Sequence, residues 1–139
     1  MQRRVPFGVA LTLDEVRPGV LDVLARLDAR ATFFLAEVDG VLVRELQAAG
    51  HGIGWRTESA HDDLVRIAGR VVRLHRPAAV PRSYLDAVRF RRHRYDSWLW
   101  SIDENELDSV RDRDVVRVVD DVERAVALVR SRDLHLVAL

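Results

Sequence analysis

The chain has 139 residues, 48% hydrophobic and 32% charged, enough for one globular domain with its own core. Its 22 basic residues balance 22 acidic ones, which argues against nucleic acid or an anionic membrane as the main partner. Every basic residue is Arg, so networks of forked Arg–carboxylate pairs are expected, and the lack of Cys excludes disulfides, thiol nucleophiles and thiolate metal sites.

No long apolar run spans a bilayer and no secretory leader opens the chain, so a cytoplasmic location is expected. Pro6 to Leu13 reads as a strand. It is apolar without polar alternation, as a strand buried on both faces should be, and it ends on two adjacent carboxylates, Asp14 and Glu15. Strand ends of this kind carry ligands in parallel sheets, and paired acids there need an offsetting cation or proton. Pro18-Gly19 breaks the chain before a helix over Val20 to Leu27. Ala31 to Leu35 is a second buried strand. A second helix starts at Asp39 or Gly40 and stops at Gly50. His51 to Trp55 is a third strand, with Arg56 to Ser59 its exit loop. A short helix follows from Asp62 to Ala68, then a fourth strand over Val71 to Leu74, closed by Arg76-Pro77. Ser83 to Phe90 is helical. Ser97 to Ile102 is a fifth strand ending at Asp103, and Val115 to Val119 a sixth. A helix from Val122 to Val129 and a strand from Leu134 to Ala138 close the chain. Alternating strands and helices predict an α/β fold with a mainly parallel sheet, and seven strands suit a distorted barrel or a strongly twisted sheet.

In this order the segments resemble the polysaccharide deacetylase family, the NodB-homology domain. Ala10-Leu-Thr-Leu-Asp-Glu15 is similar to that family's Thr-Phe-Asp-Asp-Gly-Pro motif, and Ala31-Thr-Phe-Phe34 to its second-strand signature. Ala49-Gly-His-Gly-Ile-Gly-Trp55 is similar to the stretch leading into its metal motif. Arg76-Pro77 resembles its Arg-Pro-Pro motif, Trp100-Ser-Ile-Asp103 the strand that ends in an aspartate, and Arg124 to Leu139 its closing helix and strand. The resemblance implies a shortened (β/α)7-type barrel. It also implies metal-dependent removal of acetyl groups from amino sugars or glycans, with an Asp-His-His metal site, a carboxylate base and a histidine acid.

Position by position, Asp14 falls where that family keeps its base, and Glu15 where the metal-binding Asp belongs. The His-Thr-x-Ser-His motif reads Arg56-Thr-Glu-Ser-Ala60, which removes both ligand histidines. Neither Arg nor Ala offers a lone pair to a metal at neutral pH. The late His-Asp motif falls on Asp120-Asp121. The catalytic positions carried over are therefore Asp14, Arg76, Asp103 and Asp120. Glu15, Arg56 and Trp55 form the expected binding network. No metal is expected; an ion, zinc for example, would have to use Glu15 and His61. Arg56 is expected to stand in for the ion by pairing with Asp14 or Glu15, and Arg76 to join Asp14 and Asp103.

Other residues have plainer readings. His61 is expected at the surface near a helix start, His51 on backbone near Gly50, and His75 facing away from Arg76. His135 is expected to be packed mid-strand, and His93 to lie among exposed arginines. Trp98 and Trp100 are core residues or a sugar platform, and Trp55 a pocket rim. Three functions stay open. One is a degenerate member that binds carbohydrate or another partner without hydrolysis. Another is a hydrolase with altered ligands from Glu15, His61, Asp103 and Asp120. The last is an assembly domain, as in a homodimer.

Overall fold

The computed structural model describes residues 5–69, 72–76, 96–97 and 100–139. The expected helix over Ser83 to Phe90, His93 with its flanking arginines, and Trp98 lie outside these. The strands are β1 (Ala10–Leu13), β2 (Thr32–Leu35), β3 (Gly52–Trp55), β4 (Leu74–His75), β5 (Asp96–Ser97), β6 (Ile102–Asp103) and β7 (Val115–Arg117). The helices are α1 (Val20–Arg26), α2 (Gly40–Ala48), α3 (Glu58–Ala68) and α4 (Val122–Ser131), with a 3-10 helix over Glu104–Ser109. Among the described residues the strands form one sheet in the order β5-β4-β3-β2-β1-β7-β6, and every pairing is parallel.

The edges β5 and β6 are nearly consecutive in the chain. Five residue steps separate Ser97 from Ile102, a reach of at most ~18 Å. Seven flat strands would put the edges ~29 Å apart. The sheet therefore curls into the distorted barrel that the resemblance implies. This also corrects the fifth strand: Trp100 and Ser101 lie outside any strand, and Ser97 belongs to β5 at one edge of the sheet while Ile102 belongs to β6 at the other.

The curl explains why β1 and β2 are buried on both faces. The outer face carries the large aliphatics Leu11, Leu13, Phe33, Leu35 and Val116. These form the main core with Leu24 of α1, Leu46 of α2, Leu64 of α3 and Val126 of α4. The inner face carries small or polar residues: Ala10 packs with Val115 and Trp100, and Thr12 and Thr32 are fully buried. Gly54 lies in register with Phe34, and a Cβ there would stand 2.6 Å from the Phe34 ring. The absent side chain is what lets Phe34 lie flat inside the curl.

The element boundaries differ from expectation in identifiable ways. Helix α3 starts at Glu58 rather than Asp62, because the Thr57 hydroxyl accepts from the Ala60 N–H and caps it. The 3-10 helix was missed, having too few apolar residues to show a period. The closing strand shrinks to one bridge, Val9 to Leu136. His135 is exposed there, not packed; it contributes its carbonyl to the Val9 N–H.

Candidate functional site

Because all the strands run parallel, their C-terminal ends share one end of the barrel. There the chain places Asp14 after β1, Arg56 after β3, Arg76 after β4, Asp103 at the end of β6 and Arg117 at the end of β7. A cleft of about 540 Å³ opens over these ends. It is lined by Asp14, Glu15, Arg56, Arg117 and Asp120, among others.

The deepest charge is Arg76, 1% exposed. Its Nη1 donates to Asp14 Oδ1 at 2.9 Å, and its Nη2 to Thr12 Oγ1 at 2.7 Å. The Thr12 hydroxyl in turn donates to the Val116 carbonyl at 2.8 Å. The guanidinium lies 4.4 Å from the Phe34 ring and 5.3 Å from that of Trp100. Burial pulls the Arg76 pKa below the usual arginine range. Asp14 opposes that shift, while the charges of Arg117 and Arg56 add to it. Arginine keeps its proton in proteins, so Arg76 is a buried cation, and among the described residues its carboxylate partner is Asp14.

Two of the expected networks are built differently. Asp103 does not join Arg76; it takes Arg117, its register partner across β6 and β7, at 2.9 Å. The Arg117 guanidinium lies 4.0 Å from the Trp100 ring. Trp100 thus has two guanidiniums near its ring, each paired to its own aspartate. The ion pair expected between Arg56 and Asp14 or Glu15 is not formed. Asp14 is held by the buried Arg76, which directly follows β4, and Glu15 is held by Arg17 at 3.0 Å. Arg56 lines the same cleft, and its Nε is sealed from solvent with no hydrogen-bond acceptor.

The rim is wetter. Arg17 bridges Glu15 and Asp120 at 3.0 and 3.1 Å, with side-chain exposures of 44%, 66% and 75% for Arg17, Glu15 and Asp120. The Arg17 pKa rises, chiefly through its hydrogen bonds to Glu15 and Asp120. Glu104 holds the loop after β7 by accepting from the N–H groups of Val119, Asp120 and Asp121.

Trp55 is not a pocket rim. It is buried, donates from Nε1 to the Val72 carbonyl at 2.8 Å, and packs against the tilted rings of His61 and His75 with centroids 4.6 and 4.1 Å away. His61 lies inside α3 against that ring rather than on the surface, because the helix starts four residues earlier than its apolar period indicated. Burial, with the nearby charge of His61 adding to it, pushes the His75 pKa down to about 4. His51 accepts from the Ala31 N–H through Nδ1, and its pKa is lowered, burial being the largest cause.

The resemblance puts a divalent ion at the Asp14 end of the barrel, and the residues present do not fit one. Asp14 and Glu15 are each engaged by an arginine, Arg56 and Arg117 bring positive charge to the same cleft, and His61 faces Trp55. Among the described residues no three of His, Asp and Glu come together as a ligand set. Thr12, Arg17, Glu104 and Arg117 were missed from sequence. Of these, only Arg117 left a signal, one charge closing an apolar strand; its partner becomes visible once the strand order is known.

No family model matches the sequence, and no curated protein does. Solved structures do match. The chitin deacetylase of the fungal pathogen Colletotrichum lindemuthianum superposes with a TM-score of 0.80 at 18% identity, over 99% of this chain and 88% of that one. The catalytic domain of a peptidoglycan N-acetylglucosamine deacetylase from Eubacterium rectale gives 0.79 at 13% identity, over 100% and 92%. A family 4 carbohydrate esterase from Bacillus anthracis gives 0.72 at 17%, over 99% and 84%. The chain therefore has the NodB-like fold of the polysaccharide deacetylases.

Proposed function

We propose that this domain binds a saccharide in the cleft over its strand ends without hydrolysing it. The observation that carries this reading is Arg56. It lines the cleft at the position where the resemblance calls for a metal-binding histidine, while Asp14 and Glu15 are already held by Arg76 and Arg17. A guanidinium cannot polarise an acetyl carbonyl as a Lewis acid does. It can hold a ligand oxygen through its N–H groups. The carbohydrate class comes from the structural neighbours, whose names are those of chitin and peptidoglycan deacetylases. In this reading Asp14, Arg76 and Asp103 maintain the floor of the site, and Asp120 offers an acceptor at its rim.

The test is a titration of the full chain with acetylated and uronic oligosaccharides, followed by NMR, with zinc added in a parallel series. Resonances of Arg56, Arg117 and Val118 should move, and no free acetate should accumulate in either series. Acetate release with zinc would overturn the non-hydrolytic reading. The absence of any saccharide-dependent shift would overturn the binding reading.

A further inference from the structure

We infer that the saccharide carries one carboxylate and that Arg56 is the group that receives it, a reading that rests on the saccharide-binding proposal above. The argument starts from charge at the floor of the cleft. Arg56 and Arg117 both line the cleft, and the charge of each acts on Arg76, which holds the cleft-lining Asp14. Among the described residues, Asp14 pairs with Arg76 and Asp103 with Arg117. Arg56 is left over. Its Nε is buried without an acceptor, and it makes no ion pair with a described residue. A cleft-lining guanidinium with no carboxylate partner among the described residues can take one from a ligand, and an arginine fork suits a carboxylate.

The rim sets the rest of the specificity. Glu15, Asp120, Asp121 and Glu123 line the mouth, with Arg17 between the first two. Acids at the mouth repel a doubly charged phosphate more than a singly charged carboxylate. An acidic peptide would bring several negative charges past the same residues. Carboxylate oxygens are also acceptors, so the rim favours a ligand rich in hydroxyl donors. One negative charge among many hydroxyls describes a sugar acid, such as a hexuronate unit of a glycan.

The experiment uses the full chain and three probes: aldotriouronate (a trisaccharide with one glucuronate unit on xylobiose), its methyl ester, and acetate. Affinities are read by NMR titration at two salt concentrations. Aldotriouronate should bind at least about tenfold more tightly than the ester, and acetate more weakly than aldotriouronate by a similar margin. The Arg56 Nε–Hε resonance should shift with the acid and not with the ester. Arg56→Gln should remove the preference for the acid, and Arg56→Lys, which keeps the charge but not the fork, should retain part of it. The acid-against-ester comparison is made on the unaltered protein, so it stands even if a variant folds poorly. Equal binding of acid and ester would overturn the carboxylate assignment and leave saccharide binding standing. Acetate binding as tightly as aldotriouronate would overturn the sugar acid. No binding by either trisaccharide would overturn both readings.

Discussion

Asp14 and Glu15 are neighbours in the chain, and each ends on an arginine, but the two pairs are physically different. Asp14 is 24% exposed and holds an Arg76 that is 1% exposed. Glu15 is 66% exposed and holds an Arg17 that is 44% exposed. At the floor, water cannot take over if one partner is removed, so the pair is essential to the fold even where it adds little net stability. At the rim water takes over at once, and the pair shapes the cleft without stabilising it. The same chemistry one residue apart therefore serves the fold in one case and only shapes the mouth of the cleft in the other.

The sharpest way to break this comparison is Asp14→Asn. It keeps the shape of the side chain and leaves the Arg76 charge buried beside a neutral group. The expected loss of stability is about 3–5 kcal/mol, read by denaturant unfolding. Adding Arg76→Met to that variant should restore much of it, since an apolar side chain in place of a buried pair is often neutral. If Asp14→Asn cost no more than a surface change, the floor would be as solvated as the rim.

Acid sharpens the contrast next. His75 is buried against Trp55 with its pKa lowered to about 4 from an ordinary value of 6.5. The folded value lies below the unfolded one, so the unfolded chain takes up the proton first. The stability held by neutral His75 is complete above pH 6.5 and is lost as pH falls from 6.5 to 4. The loss approaches about 3 kcal/mol at the lower end. His51 shifts in the same direction and adds to the slope. His75→Phe should flatten most of it in unfolding experiments across that range. An unchanged slope in that variant would move the acid sensitivity elsewhere.

The smallest effect is expected at the rim. Arg17→Ala should leave the unfolding midpoint within measurement error at both low and high salt, because both of its carboxylates are already in water. A clear loss of stability would show that the rim pair is structural and would erase the distinction.

The contrast also marks what could be read from the sequence. The buried strands were legible because Leu11, Leu13, Phe33 and Leu35 are apolar in runs, and the helix stop at Gly50 because its φ of 79° suits glycine. Asp14 and Arg76 were brought together by the motif order. The partners of Asp103 and Glu15 were not, because a one-dimensional pattern ranks arginines by position, whereas the sheet decides which one lies across a strand. Arg117 becomes the partner of Asp103 only once β6 and β7 are known to be adjacent. Trp55 and His61 were misplaced for a related reason. An aromatic at a strand end looks like a rim until the following helix starts early and covers it.

The central claim is that guanidinium charge takes the place of a divalent ion at the strand ends. The most direct measurement is a calorimetric titration of zinc into the untagged, chelator-treated full chain, paired with elemental analysis of the protein as purified. The account predicts no stoichiometric metal and no saturable heat. One tightly held ion per chain, weakened by Glu15→Ala, would contradict it.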